Sequence, residues 1–421
     1  MKASNLAVSL LLAPFSNALP VIESRQSLPA WLSNIMPPTS TLMGFAGSMI
    51  PAQEGTITSA EPLLRKTAKR DIIRYGPFTL PANKKGTDMP AEGGHMHGSA
   101  PPAPSKVGES KGDDMPGMAG GGAEKPAAPN SGINQIMDLL KNKPMDPNGL
   151  GLVKRLSTGF CKDCTVLSGK VDVVFPNGTK AGINNGVYLH HAVTMDMTKA
   201  VPTFVKGCGG IAGSFSPFIG GAVDGFTQYF TTEDGAYDSG FHLDQDTLVM
   251  QAEMVNYNKE PQEIYVQMDV EYMPDKVGND AMQFTLAATE CSSLTQSFRP
   301  PKNAVGEIKS ADYPITADGD FIAARGHMHD SGTYVSMSIN GNVVCQSNAT
   351  YGGAGSSTIV DGKEWQTITK MSTCAGPIPV KKGDNVVIAA GYDTEKHPAR
   401  ESNGEEQESM GIMTFVYVGK K

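Results

Sequence analysis

Two adjacent histidines, His190 and His191, and a His-Met-His triplet ending in His329 are the residues of this chain best suited to hold a metal. Imidazole nitrogen and thioether sulfur both suit copper, and a neutral sulfur favours Cu(I) over harder ions. On a strand, side chains two apart share a face at about 7 Å, so His327 and His329 can converge on one ion. Met410, at the head of the last apolar run, is the expected third donor and leaves space for oxygen or a water. Arg325 should share the face of His327, where its fork of donors matches a substrate carboxylate; an ion pair with an acidic residue is the competing role. His190 and His191 pose a different problem, because neighbours on a regular strand point to opposite faces. Both reach one metal only where the strand bulges or ends, or where the two rings approach with different nitrogens. His242 is the candidate that would complete that set, with Met254 and Glu253 as alternatives. The plainer reading makes His327 and His329 surface residues of a strand, Met410 core packing and His242 a hydrogen-bonded boundary residue.

The elements that must position these side chains read as strands. From Thr165 onward short β-prone runs are parted by Gly, Pro, Asn and Asp: 170–175, 186–195, 247–257, 263–272, 284–287, 333–339, 365–369, 385–390 and 410–418. The alternation along 263–270 puts one face in a core and the other toward water. Without helical patterns between them, such runs predict an all-β chain of two antiparallel jelly-roll-like β-sandwich domains. The expected boundaries are a signal peptide at 1–18, a poorly ordered segment at 19–61, a first sandwich at 62–299 and a second at 300–421. An insert at 82–130, rich in Gly, Pro, Ala, Lys and Asp, cannot bury enough apolar surface to offset its ordering and is expected to be disordered. Its His95-Met96-His97 and methionines could collect copper weakly. A short helix is expected after Ser131, ending before Pro144.

Compartment follows from the ends and the cysteines. Lys2, the apolar run 6–15 and the small residues Ser16, Asn17 and Ala18 resemble a secretory leader, too short to span a bilayer. Six cysteines, an even number on an oxidising route, predict three disulfides among 15 possible connectivities. Cys161 and Cys164 have the spacing of a redox pair without its strand-to-helix context, so a structural bridge is expected. Asn177 and Asn348 head glycosylation sequons. A net charge of −8 argues against nucleic acid and anionic lipid as partners. No dinucleotide fingerprint, phosphate loop, nucleophile elbow or His-Glu-x-x-His motif is present, and the carboxylates alone do not select a glycosidase pair.

In order and strand context these pieces resemble the copper type II, ascorbate-dependent monooxygenases, represented by peptidylglycine alpha-hydroxylating monooxygenase, and the secreted stress-up-regulated nodulin-like proteins of plants and fungi. The resemblance covers about 155–421, with 68–81 as a further piece of the first sandwich. It implies an electron-transfer copper at His190 and His191, with Glu253 standing where the family has its third histidine. It implies an oxygen-activating copper at His327, His329 and Met410, and a substrate-carboxylate role for Arg325. The family's Asn and Tyr after the methionine correspond to Ile412 and Thr414, a departure in the peptidylglycine pocket. The expected protein is therefore secreted, binds one or two copper ions, takes electrons from ascorbate and hydroxylates an unknown small molecule or peptide at an activated C–H. The alternative is a non-catalytic glycoprotein of the cell wall or cell surface, copper-binding or purely structural.

Overall fold

The computed structural model describes residues 47, 50–83 and 149–420, apart from 201–202, 209–214, 245, 292–296, 354–356, 361–362, 403–404 and 407. The expected leader, the insert and the short helix after Ser131 lie outside the described residues. Described residues form an almost entirely β structure, as the patterning predicts. Along Gln262–Met273 the period of two buries Ile264, Val266, Met268 and Val270 while Glu263, Tyr265, Gln267 and Asp269 turn outward. Each such side chain contributes about 1.5–3 kcal/mol by leaving water.

Three sheets organise the structure. A long sheet runs in the order 55–60, 69–80, 262–273, 164–174, 239–243, 279–287, 409–419, 319–328 and 373–380. A five-stranded sheet in the order 52–53, 149–156, 248–256, 187–196 and 216–221 faces its first half. Between them lies one apolar core containing Phe218, Phe241, Val266 and Met250. A third sheet, built on 332–339, 342–351 and 385–393, faces the other half across a second core with Phe321, Val335, Met337 and Phe415. The layers are sandwich-like, and the long sheet runs through both.

Most pairings are antiparallel. Two are parallel: Ala52–Gln53 with Gly149–Leu156, and Ser239–Leu243 with Asn279–Ala287. The second joins the two halves of the long sheet. Residues 52–60 fall inside the stretch read as poorly ordered, yet Ala52–Gln53 and Gly55–Ala60 are strands. Sequence patterning misses them because they bury little of their own: Ile57 is 50% exposed, and their order comes from edge pairing with Lys69–Leu80 and Gly149–Leu156.

Three disulfides close the described cysteines as Cys161–Cys164, Cys208–Cys291 and Cys345–Cys374. No described helix is long and apolar enough to cross a membrane.

Candidate metal centre

The site begins with a bulge. Val187–Asp196 pairs with Leu248–Asn256 so that His191 faces Glu253 while Leu189 faces Met254, which leaves His190 as the extra residue. A bulge lets consecutive side chains turn to the same side, and the His190 and His191 rings lie 4.1 Å apart between centroids. The other half comes from the end of Gly319–Met328. His327 is still on the strand, opposite Ile412, and His329 follows its last residue, where the chain turns through Ser331 at φ 83°.

All four imidazoles meet. His191 Nε2 lies 3.1 Å from His327 Nε2 and 3.2 Å from His329 Nε2, and His190 Nε2 lies 3.3 Å from His329 Nε2. His190, His191 and His329 can each offer a nitrogen such that all three lie within 4.8 Å of one another. The sequence divides these residues between two ions; the fold gathers them into one cluster, because the His-pair strand of the five-stranded sheet meets the end of the His-x-His strand.

Hydrogen-bond counting shows what the cluster suits. A ring nitrogen has one in-plane position, filled by a proton or by a lone pair, so four Nε2 atoms support at most two good mutual hydrogen bonds. Three contacts are present. His329 Nδ1 lies 2.8 Å from the Glu408 carbonyl, which only accepts, so Nδ1 carries the proton and Nε2 turns a lone pair inward. His190 Nδ1 is buried without a hydrogen-bond partner, with Glu253 Oε2 at 3.4 Å. Inward lone pairs with outward protons are the arrangement of metal-bound imidazoles, and an all-imidazole donor set fits copper.

Acid–base behaviour agrees. Burial, reinforced by neighbouring imidazoles, holds His191 and His329 well below the ordinary histidine value. Burial brings His327 down to about 4, with nearby Asp224 opposing the shift and Arg325 adding to it. These rings stay neutral in the fold, while an unfolded chain protonates them below about pH 6.5. Stability from His327 is therefore present above pH 6.5 and lost as pH falls toward 4. Asp330 runs the other way: burial raises it to about 6, so its penalty is relieved as pH falls through 6. A difference measurement separates the two. In urea unfolding of metal-free protein between pH 6.5 and 4.5, His327→Gln is expected to lose about 2 kcal/mol less stability than the parent. Equal losses would show that His327 is not held neutral by the fold.

The walls are aromatic and charged. Arg400, 5% exposed, lies 5.0 Å over the Tyr188 ring and 5.1 Å over Trp365, and Tyr188 stacks on His190 at 5.9 Å. The Trp365 indole N–H donates to Asp330 Oδ2 at 2.8 Å. One cavity beside the rings is lined by Tyr188, His190, His329, Asp330, Arg400 and Glu408 among others, and another by Asp224, His327 and Thr367 among others.

The remaining expected residues are placed differently. Arg325 is buried, bonded to Asp224 and stacked on Phe226 at 4.2 Å, so its guanidinium already has a carboxylate. His242 is not brought to the cluster; its Nε2 lies 3.1 Å from the Val277 carbonyl. Met410 is half-buried, opposite Ser297, two residues beyond Glu408, and lines neither cavity. Sequence reasoning missed Asp224, Glu408 and Arg400. Only the bulge requirement at His190–His191 signalled that this part of the site would be irregular.

The family model described as stress up-regulated Nod 19 matches residues 240–418. The probable copper-dependent oxygenase M1 of Phoma sp. is 23% identical over 279 residues, covering 65% of this chain and 68% of that protein. The probable copper-dependent oxygenase clz3 of Cochliobolus lunatus is 24% identical over 252 residues, covering 58% of this chain and 76% of that protein. The chain is therefore related to probable copper-dependent oxygenases and, over residues 240–418, to the stress up-regulated Nod 19 family.

Proposed function

We propose that this chain is a secreted copper- and ascorbate-dependent monooxygenase that hydroxylates a small molecule or peptide at an activated C–H bond. The observation that carries the reading is the meeting of His190, His191, His327 and His329 with the His329 lone pair directed inward. In this reading His190, His191 and His329 hold the ion, His327 stands beside them, and Met410 is the sulfur donor suggested by resemblance. Copper, when bound, supplies one-electron chemistry and the activation of oxygen, with ascorbate as the electron source.

The protein's own residues orient the site. The Glu408 carbonyl fixes the His329 tautomer, and Tyr188, with Arg400 over its face, stacks on the His190 ring. Arg325 would take a substrate carboxylate only by leaving Asp224. Three disulfides accord with an oxidising, secretory route, and a leader at 1–18 and division of the mature chain near 299 remain part of the proposal.

A second reading, a copper-binding protein without catalysis, is favoured by Arg325 being paired already and by Glu253 in place of a third family histidine. Protein purified without chelator separates them. At least about one copper per chain and oxygen uptake dependent on ascorbate are expected. Copper without uptake supports the second reading, and protein without copper removes both.

A further inference from the structure

A buried carboxylate stands at the far end of the His-pair strand, five residues and about 17 Å along from His191. Asp196 ends that strand opposite Leu248 and is fully buried. Its Oδ1 accepts from Thr198 N at 2.9 Å, Thr198 Oγ1 at 2.7 Å and Lys199 N at 3.0 Å. Its Oδ2 is equally buried and accepts from no protein N–H or hydroxyl, and the Asp246 carboxyl lies within hydrogen-bond reach of Asp196. Asp246 lies beside it, and Thr198 Oγ1 is also 2.9 Å from Asp246 Oδ1. A hydroxyl has one proton to give, so Thr198 Oγ1 serves only one of the two carboxylates at a time, while Asp246 Oδ2 also accepts from Asp244 N at 2.5 Å.

The nearby ammonium groups bond other carboxylates, with Lys199 also acting on Asp246 through space. Lys199 Nζ lies 2.6 Å from Asp280 Oδ1 and 2.9 Å from the His242 carbonyl, and it sits 4.0 Å over the Phe241 ring. Lys276 bonds Asp244. The four carboxylates of Asp196, Asp244, Asp246 and Asp280 thus face two ammonium groups. Burial and mutual repulsion raise Asp196 to about 6, and burial raises Asp246 as well. A buried, unmatched carboxylate of this kind needs a proton or a cation.

We propose that the Asp196 and Asp246 carboxylates, with Thr198 Oγ1, form a calcium site completed by water. The donors are all oxygen, which suits a hard cation and sets the site apart from the imidazole cluster. Their irregular arrangement at two chain turns suits calcium's variable coordination better than magnesium's strict octahedron. With few protein ligands, the affinity is in the range of extracellular modules, about 10⁻⁴–10⁻³ M. The ion ties the turn after Val187–Asp196 to the turn between Ser239–Leu243 and Leu248–Asn256, joining the faces of the first sandwich.

Equilibrium dialysis of the full chain against about 1 mM calcium chloride at pH 7 tests the site, with Asp246→Asn as the comparison. The parent is expected to retain more calcium than the variant, by up to one ion per chain. At 10-fold excess over Kd the parent's Tm is expected to rise by about 3 °C, and the variant's to stay unchanged. Far-UV circular dichroism and the urea midpoint, read in parallel, report whether the variant is folded, and Asp246→Ser replaces it if it is not. Equal calcium retention in parent and folded variant overturns the proposal. So does a variant more stable than a parent that ignores calcium, which would mean that a shared proton alone joins the pair.

Discussion

Replacing His329 with alanine is expected to weaken copper binding by more than about 100-fold and to abolish ascorbate-dependent oxygen uptake, with the fold intact. His329 is the ring that links the others: its Nε2 contacts both His190 and His191, and its Nδ1 is anchored on the Glu408 carbonyl. Its loss removes a donor and leaves the His191–His327 contact as the one remaining of the three between Nε2 atoms. Glu253 gives an internal scale. It lies 3.4 Å from His190 Nδ1, near enough to take the Nδ1 proton once Nε2 holds an ion, so Glu253→Gln should cost about 10–100-fold in affinity. Competition titration against a copper chelator measures both, and nitrogen hyperfine structure in the Cu(II) spectrum reports how many imidazoles remain. Unchanged affinity in a folded His329→Ala protein would remove this cluster from the function.

The extent to which the sequence discloses this site depends on the range over which each feature is decided. Strand alternation is local, so the run 263–270 is readable and its buried face is as expected. The condition on His190 and His191 is local too: an irregular strand is one of the ways adjacent ligands can share an ion, and the bulge lies there. What brings His191 against His327, 136 residues away, is the packing of two sheets, and no local period encodes it. The same holds for Arg325, whose pattern suits a ligand carboxylate while the fold supplies Asp224. His242 shares a residue type with the cluster but stands opposite Thr165 on Ser239–Leu243, where the Val277 carbonyl meets its ring. The strands at 52–60 escape notice for a related reason: pairing, not apolar content, orders them.

Edge order of that kind makes a buried carboxylate in the first sandwich matter as much for stability as the imidazoles do for chemistry. Glu271, 2% exposed, accepts the backbone N–H groups of Leu63 at 2.6 Å, Leu64 at 2.8 Å and Arg65 at 2.9 Å. Those residues connect Gly55–Ala60 to Lys69–Leu80, so one side chain fixes the path by which the edge strand is reached. Bonds from N–H groups to a carboxylate contribute about 1.5–3 kcal/mol each, discounted here because Leu63 is exposed and water can replace part of the loss. Glu271→Ala is therefore expected to cost about 4 kcal/mol in urea unfolding. Glu271→Gln should cost about half as much: its carbonyl can still take Leu64 and Arg65, but its amide group would face the Leu63 N–H donor to donor. That ordering distinguishes a lost acceptor from a lost volume, since glutamine fills the same space as glutamate. A cost below about 1 kcal/mol for alanine would mean that the 61–68 connection is held by other contacts. The Arg65 guanidinium bonds to Gly235 and Tyr237 carbonyls would then be the contacts to remove next.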